Sequence, residues 1–131
     1  MTILFIGQSP SKKNFDANIA FHGTQSFKTL LNWIDKAGLE YFDCKFINAA
    51  TAVDSKEPTE ADLGLLQATI LKQPWDTKIV AVGKVAAWSL RKIGITDFLE
   101  LPHPSGLNRQ LNDKEYVEKK IGELRDYVYS V

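Results

Sequence analysis

Leu101–Gln110 reads LPHPSGLNRQ, with one imidazole set between two prolines. Pro102 and Pro104 lack amide donors and fix φ, and each pushes its predecessor towards extended backbone. Gly106 reaches backbone angles closed to other residues. This spelling suits neither a helix nor a central strand, so it predicts a stiff loop that aims polar groups in set directions. His103 held this way is either a hydrogen-bonded structural group or a donor and proton carrier near neutral pH. Its place just beyond a strand favours the second.

Three more stretches carry polar groups at comparable places. In GQSPS, Gly7 turns the chain sharply, Pro10 stiffens the turn, and Gln8 and Ser9 supply neutral hydrogen-bonding groups. Alone, these five residues read as an ordinary strand-to-loop turn. FINAA sets Asn48 at a strand end. By itself that is a turn residue, although its amide offers the donor and acceptor that suit a base edge. IVAVGKVAAWSL places Gly83 and Lys84 between a strand and a helix N-terminus. That is a ready anion site, without the Walker spacing, and Gly83 equally suits close helix–sheet packing. The second histidine, His22, adds no metal site, because too few ligands accompany it.

Alternating strands and helices must position these groups. Thr2–Ile6 is a buried strand followed by a loop to Gln25. Ser26 is read as the cap of a helix with apolar residues Phe27, Leu30, Leu31 and Ile34, ended by Gly38. Tyr41–Asn48 reads as the second strand. Thr59 with Asp62 forms a variant capping box ahead of Leu63, Leu66 and Ile70. Lys78–Val82 is a β-branched strand, Gly83 opens a helix that Gly94 closes, and Phe98–Leu101 is the fourth strand. Asp113 starts a last helix striped by Val117, Ile121, Leu124 and Val128. This order predicts an α/β fold, a three-layer α/β/α sandwich around a four-stranded parallel sheet. Ligands of such sheets bind beyond the carboxyl ends of the strands. The loops at Gly7, Asn48, Gly83 and Pro102 all start there, which predicts one composite site.

The 131 residues suit one domain spanning 1–131, with 44% hydrophobic and 24% charged residues. Sixteen basic residues balance sixteen acidic ones, which is no footprint of a strong nonspecific polyanion binder. The lone Cys44 excludes an internal disulfide and a multi-cysteine metal site, and its apolar surroundings predict a buried thiol. MTILFIG lacks the basic start and long apolar stretch of a signal peptide, and no apolar run would span a bilayer. A cytoplasmic, monomeric protein away from membranes is expected.

Together these stretches resemble the uracil-DNA glycosylase superfamily. Its members are single α/β/α domains with a G-x-x-P motif after the first strand and an H-P-S motif after the last. Here those are GQSPS and HPSGLN, the latter close to the family's HPSPLS. FINAA matches the strand ending in Asn, AFHGTQSFKTLLNWIDKAGL the aromatic and turn leading into a helix, and IVAVGKVAAWSL the strand–Gly–helix segment. The order is right over nearly the whole chain.

The resemblance implies a role for each matched residue. His103 would sit by O2 of a flipped pyrimidine and stabilise the departing base. Asn48 would read the O4/N3 edge and Phe21 would stack on the ring. Gln8 and Ser9, between Gly7 and Pro10, would position water or contact the base. Ser105 and Gly106 would hold phosphate, Leu107 would fill the vacated stack, and Lys84 and Arg109 would meet phosphates. DNA is the implied partner, and no cofactor is needed. Relatives with strong hydrolytic activity often carry Asp or Asn where Ser9 stands, or Glu where Gln8 stands, so no carboxylate is there to activate water. The chain is short for the family, and its compact, neutral form suits a phage or mobile-element protein. Excision of uracil or a related pyrimidine, noncatalytic binding of a base or nucleic acid, and base modification on the same fold all remain open on these residues.

Overall fold

The computed structural model describes residues 1–10, 24–105 and 108–130. Its elements are β1 (Ile3–Gly7), α1 (Gln25–Lys36), β2 (Cys44–Asn48), α2 (Glu60–Leu71), β3 (Lys78–Val82), α3 (Lys84–Lys92), β4 (Leu99–Leu101) and α4 (Lys114–Val128). Short 3₁₀ turns cover Tyr41–Asp43 and Arg109–Asn112. The strands form one sheet in the order β2-β1-β3-β4, with every neighbouring pair parallel.

Period-two alternation divides the strand residues between two covered faces. Ile3 and Phe5 of β1, Phe46 of β2, Val80 and Val82 of β3 and Leu101 of β4 pack with Leu30 and Trp33 of α1 and Leu124 and Val128 of α4. The alternate residues Leu4, Ile6, Ile79 and Ala81 pack with Leu66 of α2 and Ala86, Ala87 and Leu90 of α3. The expected three-layer α/β sandwich follows directly from that split. Leu30, Leu90 and Leu124 have no exposed surface, so truncating any of them to Ala costs about 2–5 kcal/mol.

The capping box is present as expected: Thr59 Oγ1 accepts from Asp62 N–H at 3.1 Å and Asp62 Oδ2 from Thr59 N–H at 3.0 Å. Asp113 caps α4, accepting from the amides of Glu115 and Tyr116. Three local expectations are corrected. The cap of α1 is Thr24, whose hydroxyl accepts from Phe27 N–H at 3.1 Å; Ser26 lies inside the helix. The first three residues of Tyr41–Asn48 wind into a 3₁₀ turn closed by the Cys44 N–H on Tyr41 C=O, so strand starts only at Cys44. Cys44 is half-buried. Burial, then the Asp43 charge, pushes its thiol up to about 12, so it stays protonated near neutral pH.

Candidate active site

The sheet's carboxyl edge forms a row. Gly7 pairs in register with Asn48, and Val82 with Leu101. Continuing the β1–β3 register by one residue sets Gly7 beside Val82. Strands lie about 4.8 Å apart, so the outer two are separated by about 14 Å. The two central strands end in glycines, Gly7 and Gly83, between Asn48 on one flank and the His103 loop on the other. Polar groups therefore flank a floor without side chains at those two places. Below it aromatic rings pack together: Phe5 stacks on Phe46 at 5.4 Å between centroids, and Phe27 meets Phe46 edge-on at 5.2 Å.

The His103 flank is built around Gly83 and Asn108. Gly83 opens α3 with φ 97° and ψ 170°, a region essentially restricted to glycine. A Cβ added there would lie 3.3 Å from His103 Cδ2 and 3.5 Å from its Cβ. Gly83 thus lets the chain enter α3 and lets the imidazole lie against the β3 turn. Asn108 uses both ends of its amide: Nδ2 donates to His103 C=O at 3.1 Å, and Oδ1 accepts from Gln110 N–H at 3.1 Å. Its own N–H donates to Ser105 C=O at 3.0 Å. Pro104 is fully buried. Burial holds the His103 imidazole below its ordinary value of 6.5, so it is neutral at neutral pH. A crevice of about 580 Å³ lies here, between His103 and Asn108 on one wall and Lys84, Tyr116 and Lys120 on the others.

The first loop is tied to the segment after β2. The carbonyls of Gly7, Gln8 and Pro10 accept from Ala49, Ala50 and Asp54 N–H at 2.8, 2.7 and 2.8 Å. Gln8 Nε2 donates to Ser55 C=O at 2.7 Å and Lys56 C=O at 3.1 Å. Both partners are acceptors, which fixes the amide orientation. Those two donors hold a loop, so only Oε1 of Gln8 is left for the water or base contact expected of this side chain. Ser9 is half-buried beside it.

Asn48 lines a crevice of about 340 Å³ with Pro10, Thr51, Asp62 and Leu66. Asp62 is 8% exposed. It accepts from Thr51 Oγ1 at 2.7 Å as well as from Thr59 N–H. Those bonds, the Thr59 amide first, keep its carboxyl below 3.8.

Strand register thus brings Asn48, Gly7, Gly83 and His103 to one edge. Among the described residues, the crevices lined by Asn48 and His103 are two and share no lining residue. Lys84 is exposed on the His103 crevice, Arg109 is exposed in the second 3₁₀ turn and Ser105 is half-buried. Phe21, Gly106 and Leu107, with Ser11 and His22, lie outside the described residues. No local pattern in the sequence gives Asn108 a role, and Asp62 reads there only as part of a helix cap. An Asn five residues after the histidine was the visible signal for the first. Nothing local links Asp62 to Thr51.

Residues 1–125 match the family described as Uracil DNA glycosylase superfamily. The chain belongs to that superfamily. No curated protein matches it. Superfamily membership points to glycosylase-like chemistry on DNA, and the edge just described is where a member of this fold would carry it out. Among the described residues, no cluster of three or more His, Cys, Asp or Glu is placed to hold a metal ion, and no helix is long and apolar enough to cross a membrane.

Proposed function

We propose that this superfamily member is a DNA glycosylase that extrudes uracil or a related modified pyrimidine and hydrolyses its N-glycosidic bond. The observation that carries the proposal is His103: a neutral imidazole packed against Gly83, its backbone carbonyl tied by Asn108, on the sheet edge where β1 and β3 end in glycines. The target nucleotide leaves the stack at a cost of a few kcal/mol, and its base lies over Gly7 and Gly83 between His103 and Asn48. Breaking C1′–N1 leaves the electron pair on the base, with charge spread to O2. A neutral imidazole N–H aimed at that oxygen gains strength as the charge develops, so it favours the transition state over bound substrate. Water then supplies hydroxyl to C1′ and its proton to the base. Among the described residues, Gln8 and Ser9 offer no carboxylate, the Asp62 carboxylate is committed to Thr51 and Thr59, and Glu100, which lines the His103 crevice, is paired with Arg91 at 3.2 Å. Leaving-group stabilisation therefore bears most of the barrier reduction.

Purified protein is incubated with oligonucleotides carrying uracil, hypoxanthine, xanthine or hydroxymethylated bases, and abasic sites and free bases are assayed. Abasic sites form on at least one pyrimidine substrate, and His103→Ala lowers their rate about 100-fold or more, as loss of one such donor does. Because the folded-state imidazole titrates below 6.5, its protonation state does not change from about pH 6.5 upwards, and the rate stays level over that range. No cleavage of any base at high protein concentration overturns the proposal.

The absence of a carboxylate at Gln8 and Ser9 supports a second reading, a noncatalytic binder of a base or nucleic acid. That reading expects saturable binding without turnover, weakened by Asn48→Ala or Phe21→Ala. A changed rather than missing base, seen by mass spectrometry of treated DNA, would indicate base modification instead.

A further inference from the structure

We infer that the outer face of α3 is a track for a single DNA strand, with Trp88 as the platform on which one unpaired base stacks. The proposal takes the chain to act on DNA, as above, and adds where the strand beyond the target nucleotide runs. Helix α3 carries three cations, Lys84, Arg91 and Lys92, and no carboxylate, within a chain of zero net charge. Arg91 is occupied by Glu100 at 3.2 Å. Lys84, Trp88 and Lys92 recur at four-residue steps, so they share one face of the helix. All three are exposed, Trp88 by 39%, while Ala86, Ala87 and Leu90 face the core. The Lys92 ammonium lies 5.6 Å from the Trp88 ring centroid.

Beside this face is a shallow groove of about 260 Å³, lined by Lys56, Glu57, Lys84, Val85 and Trp88. Lys84 lines both this groove and the His103 crevice, so the basic face is continuous with the rim where the proposed reaction occurs. Eight residues of helix separate Lys84 from Lys92, about 12 Å, enough for a short run of phosphates. Ammonium groups that follow a backbone, interleaved with an aromatic ring, are the recurring recipe for single strands. In a duplex both faces of each base are already stacked, so an indole of this kind discriminates for unpaired DNA.

The test is fluorescence anisotropy with a labelled, undamaged oligothymidylate and an undamaged duplex of equal length, across a salt series. The single strand binds more tightly than the duplex. Trp88→Ala weakens single-strand binding at least about fivefold, the low end for loss of one stacked base, and changes duplex binding less than about twofold, the margin left by phosphate contacts alone. Trp88→Phe, which keeps a ring, retains most of the affinity. Lys92→Gln reduces the salt slope by about 0.7. Trp75→Ala, at a 97% exposed ring elsewhere, leaves binding unchanged. Equal affinity of wild type and Trp88→Ala for the single strand, or tighter binding of the duplex by wild type, overturns the track. Base excision that survives that result leaves the glycosylase reading standing. Trp88-dependent strand binding without excision of any base does the reverse.

Discussion

His103 and Asn48 flank the same sheet edge and are held in different ways. The histidine is held mainly from within its own loop, where Asn108 stitches residues 103, 105 and 110 together and Pro104 is buried, with the β3–α3 turn at Gly83 packed against the ring. Asn48 ends a β-strand, and the segment after it is held from elsewhere, by carbonyls of Gly7, Gln8 and Pro10 and by Asp62 of α2. A loop-internal clamp fixes one side chain closely and tolerates movement outside it. A clamp spread over three segments couples that flank to the stability of the first loop and α2. Substitutions on the histidine flank should therefore act mainly on rate, and those on the asparagine flank mainly on stability.

The largest expected break is Gly83→Ala. It places a Cβ at φ 97° against the imidazole, and the backbone alone costs of order 1–3 kcal/mol. Urea unfolding should show that loss, and excision should fall by at least about tenfold because His103 must move away. Asn108→Ala comes next. It leaves the His103 carbonyl and the Gln110 amide without this partner, costing about 1 kcal/mol; it should lower kcat more than it raises KM, since the imidazole is misdirected rather than the substrate released.

Gln8→Glu tests the other flank. It replaces the one nitrogen that donates to the carbonyls of Ser55 and Lys56 by a carboxylate oxygen facing both. It should destabilise by about 1–2 kcal/mol without raising the excision rate, despite adding the acid that Gln8 lacks. A gain in rate would show that this side chain can turn to the floor.

The smallest effect expected is that of Asp62→Asn on the acid limb of stability. Asp62 titrates below 3.8 when folded, so near and below that value the unfolded chain binds more protons. Its contribution is present above about 3.8 and is lost as pH falls through the folded value. The variant should be less stable at pH 7 by about 0.5 kcal/mol, the low end for one lost hydrogen bond, and lose less on acidification, as thermal melts from pH 3 to 7 would show.

Much of this edge was legible in the chain. Val80, Ala81 and Val82 announce a strand buried on both faces, and Gly7, Gly83 and Pro102 mark where β1, β3 and β4 end. A parallel sheet then sends those ends to one side. The rest depends on contacts that no local pattern encodes. RQLN has neither helical nor strand periodicity, so its 3₁₀ turn, and with it the purpose of Asn108, stayed hidden. Gln8 looked like a reactive-loop residue because its partners, Ser55 and Lys56, lie 47 and 48 residues away. Thr24 and Ser26 are both good caps two residues apart, so capping chemistry alone does not choose between them.

The strand order has a consequence for dynamics. Because β1 carries β2 on one side and β3 carries β4 on the other, the β1–β3 pairing is, among the described residues, the one seam within the sheet joining its two halves. A molecule gripped by Asn48 and His103 at once would span that seam. Its binding energy would oppose sub-global opening there, so amide deuterium uptake in β1 and β3 should slow even at residues such as Leu4 and Val80 that lie deep beneath the ligand.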